Sequence, residues 1–101
     1  MSVPLTQVSA VRIVCDEVLK FRVQQHLSQF GATGYTYWEV HGRGERLGDR
    51  RGIYIEVWCN SDMAQTIVSY CRSSEFQNAG MSVGVMPLWV SADEAAKFTR
   101  Q

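Results

Sequence analysis

A chain of 101 residues with 46% hydrophobic content can build one small core and no second domain, and association with further copies would help cover what that core leaves open. Ten basic residues balance ten acidic ones, so no overall charge draws the chain to nucleic acid or to an anionic membrane, and any such preference has to be local. No apolar run reaches a membrane span of about 18 residues, and Met1 to Gln7 has neither the charged start nor the apolar middle of a secretory signal, which predicts a cytoplasmic protein.

Met1 to Gln7, with Pro4 and no periodicity, reads as a flexible lead-in. Val8 to Cys15 is rich in β-branched residues and predicts a first strand, with Val11, Ile13 and Cys15 on one face and Ala10, Arg12 and Val14 on the other. Asp16 and Glu17 suit a helix start. The apolar residues Leu19, Val23, Leu27 and Phe30 then recur at helical spacing, and Gly31 is positioned as the C-cap. His26, near the polar boundary of that helix, reads as a surface histidine.

A second strand is predicted over Tyr35 to His41, and Ile53 to Cys59 alternates as a third. In the third, Ile53, Ile55, Val57 and Cys59 belong under the helices, and Tyr54, Glu56 and Trp58 belong on the other side. Between the two strands, Gly42 to Gly52 holds four of the eight glycines and four of the eight arginines, which predicts a mobile cationic loop suited to a phosphate or another oxyanion. Ser61 and Asp62, with Gln65 completing a capping box, begin a second helix over Met63, Ile67, Tyr70 and Cys71 that ends near Arg72. Ser73 to Gly80 is turn-like. Met81 to Val90 is a fourth strand whose Pro87 argues for an edge or a bulge, and Ser91 with Glu94 caps a short helix ending near Phe98.

The order β-α-β-β-α-β with a tail helix predicts an α+β, ferredoxin-like antiparallel sheet with both main helices on one face. The other face, assigned Tyr37, Glu39, Tyr54 and Trp58, is too aromatic for water and predicts assembly between copies. Cys15, Cys59 and Cys71 each fall in an apolar periodic segment and read as buried thiols. With His26 and His41 far apart in sequence, no metal site is predicted.

No nucleophile has a base placed beside it by sequence and no carboxylate pair is set for acid-base work, so an enzyme is not expected. The third strand, IYIEVWC, lacks the basic-glycine-aromatic signature of an RNA-stacking sheet. The loop matches neither a Walker A motif nor a dinucleotide fingerprint. From composition, ligand binding by the loop and a plain solvated hairpin are nearly balanced.

Gly31, Gly34, Thr36, Glu39, Val40, Gly42 and Gly44 stand at the positions of the G-x-x-G-x-T-x-x-E-V-x-G-x-G stretch of the PII signalling proteins, and Ile55-Glu56-Val57 is similar to that family's third strand. The resemblance covers nearly the whole chain and implies one PII-like domain over 1–101, with 42–52 as a short effector loop. It implies a homotrimer that binds an adenine nucleotide between subunits, with the backbone around Gly34, Tyr35 and Thr36 facing the adenine, Val14 and Trp58 helping to wall the site, and Gly42, Arg43, Gly44, Glu45 and Arg46 around the phosphates. Gly80 belongs to a later phosphate-binding loop, in which Asn78-Ala79-Gly80-Met81 replaces the usual Gly-Asp-Gly-Lys.

The short loop lacks the tyrosine modified in some members, and Arg46 replaces the glutamine used for magnesium and 2-oxoglutarate. With the charge partner of the terminal phosphate gone, ADP or AMP is expected to bind at least as well as ATP. In these respects the chain resembles the carboxysome-associated PII-like branch, which binds ADP or AMP together with bicarbonate. That implies a bicarbonate site at Arg43, Arg46 and Arg51, no metal and no cofactor beyond these ligands, and a protein target such as a bicarbonate transporter or carboxysome component. A trimeric adaptor that docks a partner through its loop without any nucleotide is the competing reading.

Overall fold

A computed structural model describes residues 2–32, 34–44, 48–77 and 79–98, with side chains left out over 42–50. The strands are β1 (Leu5–Asp16), β2 (Thr36–Gly44), β3 (Gly48–Cys59) and β4 (Ser82–Ser91), and the helices are α1 (Lys20–Phe30), α2 (Ser61–Cys71) and α3 (Ala92–Ala96). The sheet order is β2-β3-β1-β4 with antiparallel pairing throughout, which is the ferredoxin-like arrangement.

The helix-covered face follows directly from alternation. Val11, Ile13 and Cys15 of β1 and Ile53, Ile55, Val57 and Cys59 of β3 are buried, and they pack with Val23 and Leu27 of α1 and Ile67 and Cys71 of α2. A 3-10 turn over Glu17–Leu19, capped by Asp16, leads into α1, and Gly31 closes that helix. The Asp16 carboxylate accepts from the Val18 N–H at 3.0 Å, and Gly31 adopts φ +89°, a conformation open to glycine. Pro87 lies in β4 at the edge of the sheet, where a missing N–H is tolerated.

Several expectations are corrected. The first strand begins at Leu5 rather than Val8, because Leu5, Thr6 and Gln7 pair with Ser91, Val90 and Trp89. Only the start of the lead-in therefore lies outside a strand. Most of the expected loop is also strand: His41↔Arg51 through Gly44↔Gly48 form a two-stranded ribbon beyond Gly52, the last β3 residue that pairs with β1, and 45–47 lie outside the described residues.

Asn60, rather than Ser61 or Asp62, caps α2, its side chain accepting from the Met63 N–H at 2.8 Å. His26 is not a plain surface residue. It is half-buried between the helices, with Nδ1 hydrogen-bonded to the Tyr70 hydroxyl and its ring edge-on to that of Tyr70 at 4.7 Å. Burial first, with the Glu75 carboxylate next, pushes the Tyr70 phenol up to about 12.

The face assignment of the second strand is also reversed. Trp38 stands opposite Tyr54, and Thr36 opposite Glu56, whereas Tyr37 and Glu39 oppose Ile55 and Ile53. Directly opposed residues share a face, so Tyr37 and Glu39 lie on the helix side and Trp38 on the second face. Lys20 of α1 accordingly sits 4.4 Å above the Tyr37 ring.

Candidate functional site

The second sheet face carries the polar and aromatic residues. At its centre Glu56 accepts three hydrogen bonds: from Arg12 Nε at 3.1 Å, from the Tyr54 hydroxyl at 3.3 Å and from Trp58 Nε1 at 3.0 Å. Strand pairing makes this possible, because Arg12 stands directly across from Glu56 while Tyr54 and Trp58 flank it two residues away on the same side of β3. Trp38 stacks on Tyr54 with ring centroids 4.5 Å apart, and the Arg12 guanidinium lies 5.9 Å from the Tyr54 ring. Partial burial raises the Tyr54 phenol above its ordinary value, with Arg12 opposing the shift and Glu56 adding to it.

Of the residues predicted from sequence, Val14, Thr36 and Trp58 are brought to this one face. Val14 opposes Tyr54 and Ser82, Thr36 opposes Glu56, and Trp58 opposes Ala10. Gly34 and Tyr35 lead into β2 just ahead of Thr36.

Gly80 is buried with φ +72°, two residues before Ser82, and so arrives at the Val14 end of the face. The ribbon rises from that same end. Gly42, Arg43 and Gly44 lie in its β2 arm, and Arg51 is exposed in its β3 arm opposite His41. Glu45 and Arg46 lie outside the described residues, as does Asn78, and the side chain of Arg43 is likewise outside the description.

Trp58 and Tyr54, the partner of Val14, are separated by four residues of β3, or roughly 13 Å at the rise of an extended strand. Trp58 therefore lies at one end of the face, Thr36 beside Glu56 at its centre, and Val14 and Gly80 at the other end, while the Tyr35 side chain packs against the helix-side core near Tyr37. Met81, where a lysine would follow Gly80, is buried in the core and presents no charge to that end.

Three positions of the second face escaped the sequence reading: Glu56 as a shared acceptor, Arg12 as its ion pair, and Trp38 as the partner of Tyr54. The alternation of Tyr54, Glu56 and Trp58 signalled the first, but joining it to Arg12 required the β1–β3 register. Among the described residues no three His, Cys, Asp or Glu side chains gather as a metal ion would require, and no helix is long and apolar enough to cross a membrane.

The model of the family described as nitrogen regulatory protein P-II matches residues 8–93. Among solved structures, a PII-like signalling protein from Thermus thermophilus superposes with a TM-score of 0.75 at 26% identity, over 89% of this chain and 95% of that one. CPII from Thiomonas intermedia K12, bound to ADP, AMP and acetate, gives a TM-score of 0.84 at 18% identity over 96% of this chain and 99% of that one. The same protein bound to ADP, AMP and bicarbonate gives 0.78 at 19% identity over 87% and 97%. At such identities the likeness to CPII is one of fold. No curated protein matches the chain by sequence.

Proposed function

Because this chain belongs to the nitrogen regulatory protein P-II family, we propose that it is a non-catalytic regulatory protein that binds ADP or AMP between the subunits of a homotrimer. Bicarbonate is the second ligand, and the bound state is passed to a protein target such as a bicarbonate transporter or a carboxysome component. The observation that carries this reading is the span of the second face. From Trp58 at one end, past Thr36, to Val14, Gly80 and the ribbon at the other, it is about as long as an extended nucleoside diphosphate.

In this arrangement the base lies against the backbone around Gly34, Tyr35 and Thr36 and against Trp58. The phosphates lie toward Gly42, Arg43, Gly44, Glu45, Arg46 and Gly80, and Arg43, Arg46 and Arg51 hold bicarbonate by charge-assisted hydrogen bonds. Buried Met81 leaves the terminal phosphate of ATP without a cationic partner from that position, which supports ADP or AMP. CPII, which has a similar fold, was solved with ADP, AMP and bicarbonate, and this supports the same ligand set.

Calorimetry and thermal shift with ADP, AMP and ATP, each with and without bicarbonate, test the reading. A nucleotide at a hundred times its dissociation constant stabilises the fold by about 2.7 kcal/mol. ADP or AMP should bind at least as tightly as ATP, bicarbonate should strengthen binding, and 2-oxoglutarate should add nothing. Strong preference for ATP would refute the assigned meaning of Met81, and no shift with any nucleotide would favour the ligand-free adaptor.

A further inference from the structure

Val8 and Ala10 lie on the second sheet face, away from α1 and α2, yet they are only 4% and 2% exposed. On this face α3 packs on β1, with Ala95 buried. Its start is fastened by the Ala92 N–H donating to the Pro4 carbonyl at 3.2 Å and by the Ser91 hydroxyl accepting from the Glu94 N–H at 3.3 Å. Two residues beyond its end, the Phe98 ring stands edge-on to Trp58, with centroids 5.9 Å apart.

Trp58 cannot easily swing away from that contact, because its Nε1–H is held by Glu56, and Glu56 is in turn held by Arg12 and Tyr54. The indole is thus fixed at one edge by a carboxylate and occupied by a ring from the chain's own tail.

We infer that Phe98 is a lid on Trp58: the tail helix occupies the indole against which the base of an adenine nucleotide would pack, so that nucleotide binding and docking of the tail compete. This rests on the nucleotide reading proposed above and adds a regulatory element to it. A base reaching the indole displaces Phe98, and α3 then moves with occupancy of the site. By reciprocity, whatever releases the tail tightens the nucleotide by the same factor. An edge-to-face aromatic pair sets the scale of that competition at roughly two- to tenfold in affinity.

The test is ADP calorimetry on the unsubstituted protein, on Phe98→Ala and on Phe98→Trp, with hydrogen exchange across Ala92–Phe98 in the unsubstituted protein. ADP should bind Phe98→Ala about two- to tenfold more tightly, while Phe98→Trp, which keeps a ring, stays close to the unsubstituted value. Saturating ADP should speed exchange in α3. Equal or weaker binding by Phe98→Ala overturns the lid, as does α3 exchange that ADP leaves unchanged or slows. If the unsubstituted protein binds ADP and Phe98→Ala matches it, the lid alone fails. If neither folded protein binds ADP, the nucleotide reading fails with it.

Discussion

The two faces of the sheet are built from the same alternating strands and yet are solved differently. On the helix side, Ile13, Ile53, Ile55 and Val57 are sealed within one chain by α1 and α2, and no buried residue is polar or charged among those described. On the other side Trp38 remains 44% exposed, and Arg12, Tyr54 and Trp58 converge on one carboxylate beside a five-residue helix that packs on β1 and β4. The first face carries the stability of the fold because apolar burial is non-directional and needs only close packing. The second contributes geometry, since hydrogen bonds to Glu56 fix where the Tyr54 and Trp58 rings point, and its exposed remainder is where the proposed ligand and further copies would sit.

The largest effect should come from placing a charge where copies are proposed to meet. Trp38→Asp would put one unpaired carboxylate into each interface, at several kcal/mol apiece, so the trimer should dissociate in light scattering while the helix-side core stays folded. A stable monomer in the unsubstituted protein at micromolar concentration would break the comparison at its root.

The converse substitution is Ile55→Ala. It removes a fully buried side chain from the helix face and should cost about 2–5 kcal/mol in urea denaturation, without changing which nucleotides bind.

Alkaline pH probes the buried thiols of the helix face, with the raised phenols of Tyr70 and Tyr54 adding to the same decline. Burial raises Cys15 and Cys59 from the ordinary 9 to about 11, and Cys71 to about 12. The unfolded chain therefore loses its thiol protons first. Stability is intact below about pH 9 and declines as pH rises through the folded values, by up to about 2.7 kcal/mol for each thiol raised by two pH units. Denaturation series between about pH 8 and 11 should show this decline, and a Cys71→Ala variant should decline less steeply although it starts less stable. The smallest expected change is Gly31→Ala. At φ +89° it should lower the melting temperature slightly, at a cost of about 1 kcal/mol, with nothing within 4 Å for the new methyl to strike.

Much of this could be read along the chain. The strict alternation of Ile53 to Cys59 assigned β3 its two faces, helical spacing from Leu19 to Phe30 assigned α1, and the Gly-Thr-Glu-Val-Gly-Gly string pointed to the family. Reading failed where neighbouring residues are alike in chemistry. Tyr37 and Trp38 are both aromatic, so alternation alone does not choose which one faces the helices, and a choice made on one residue reverses the whole strand. It failed also where a segment waits for a distant partner, as Leu5 to Gln7 does for β4.

The residue types, their periods and the glycine positions by themselves determined the order of elements, the apolar core and the kinship, because these depend on contacts within about one turn or one strand. Only the tertiary structure decided that Trp38 joins Tyr54, that Arg12 and Trp58 share Glu56, and that Phe98 returns to Trp58 from the far end of the chain. Arg12 and Glu56 are 44 residues apart, and no local period encodes a register between strands that distant.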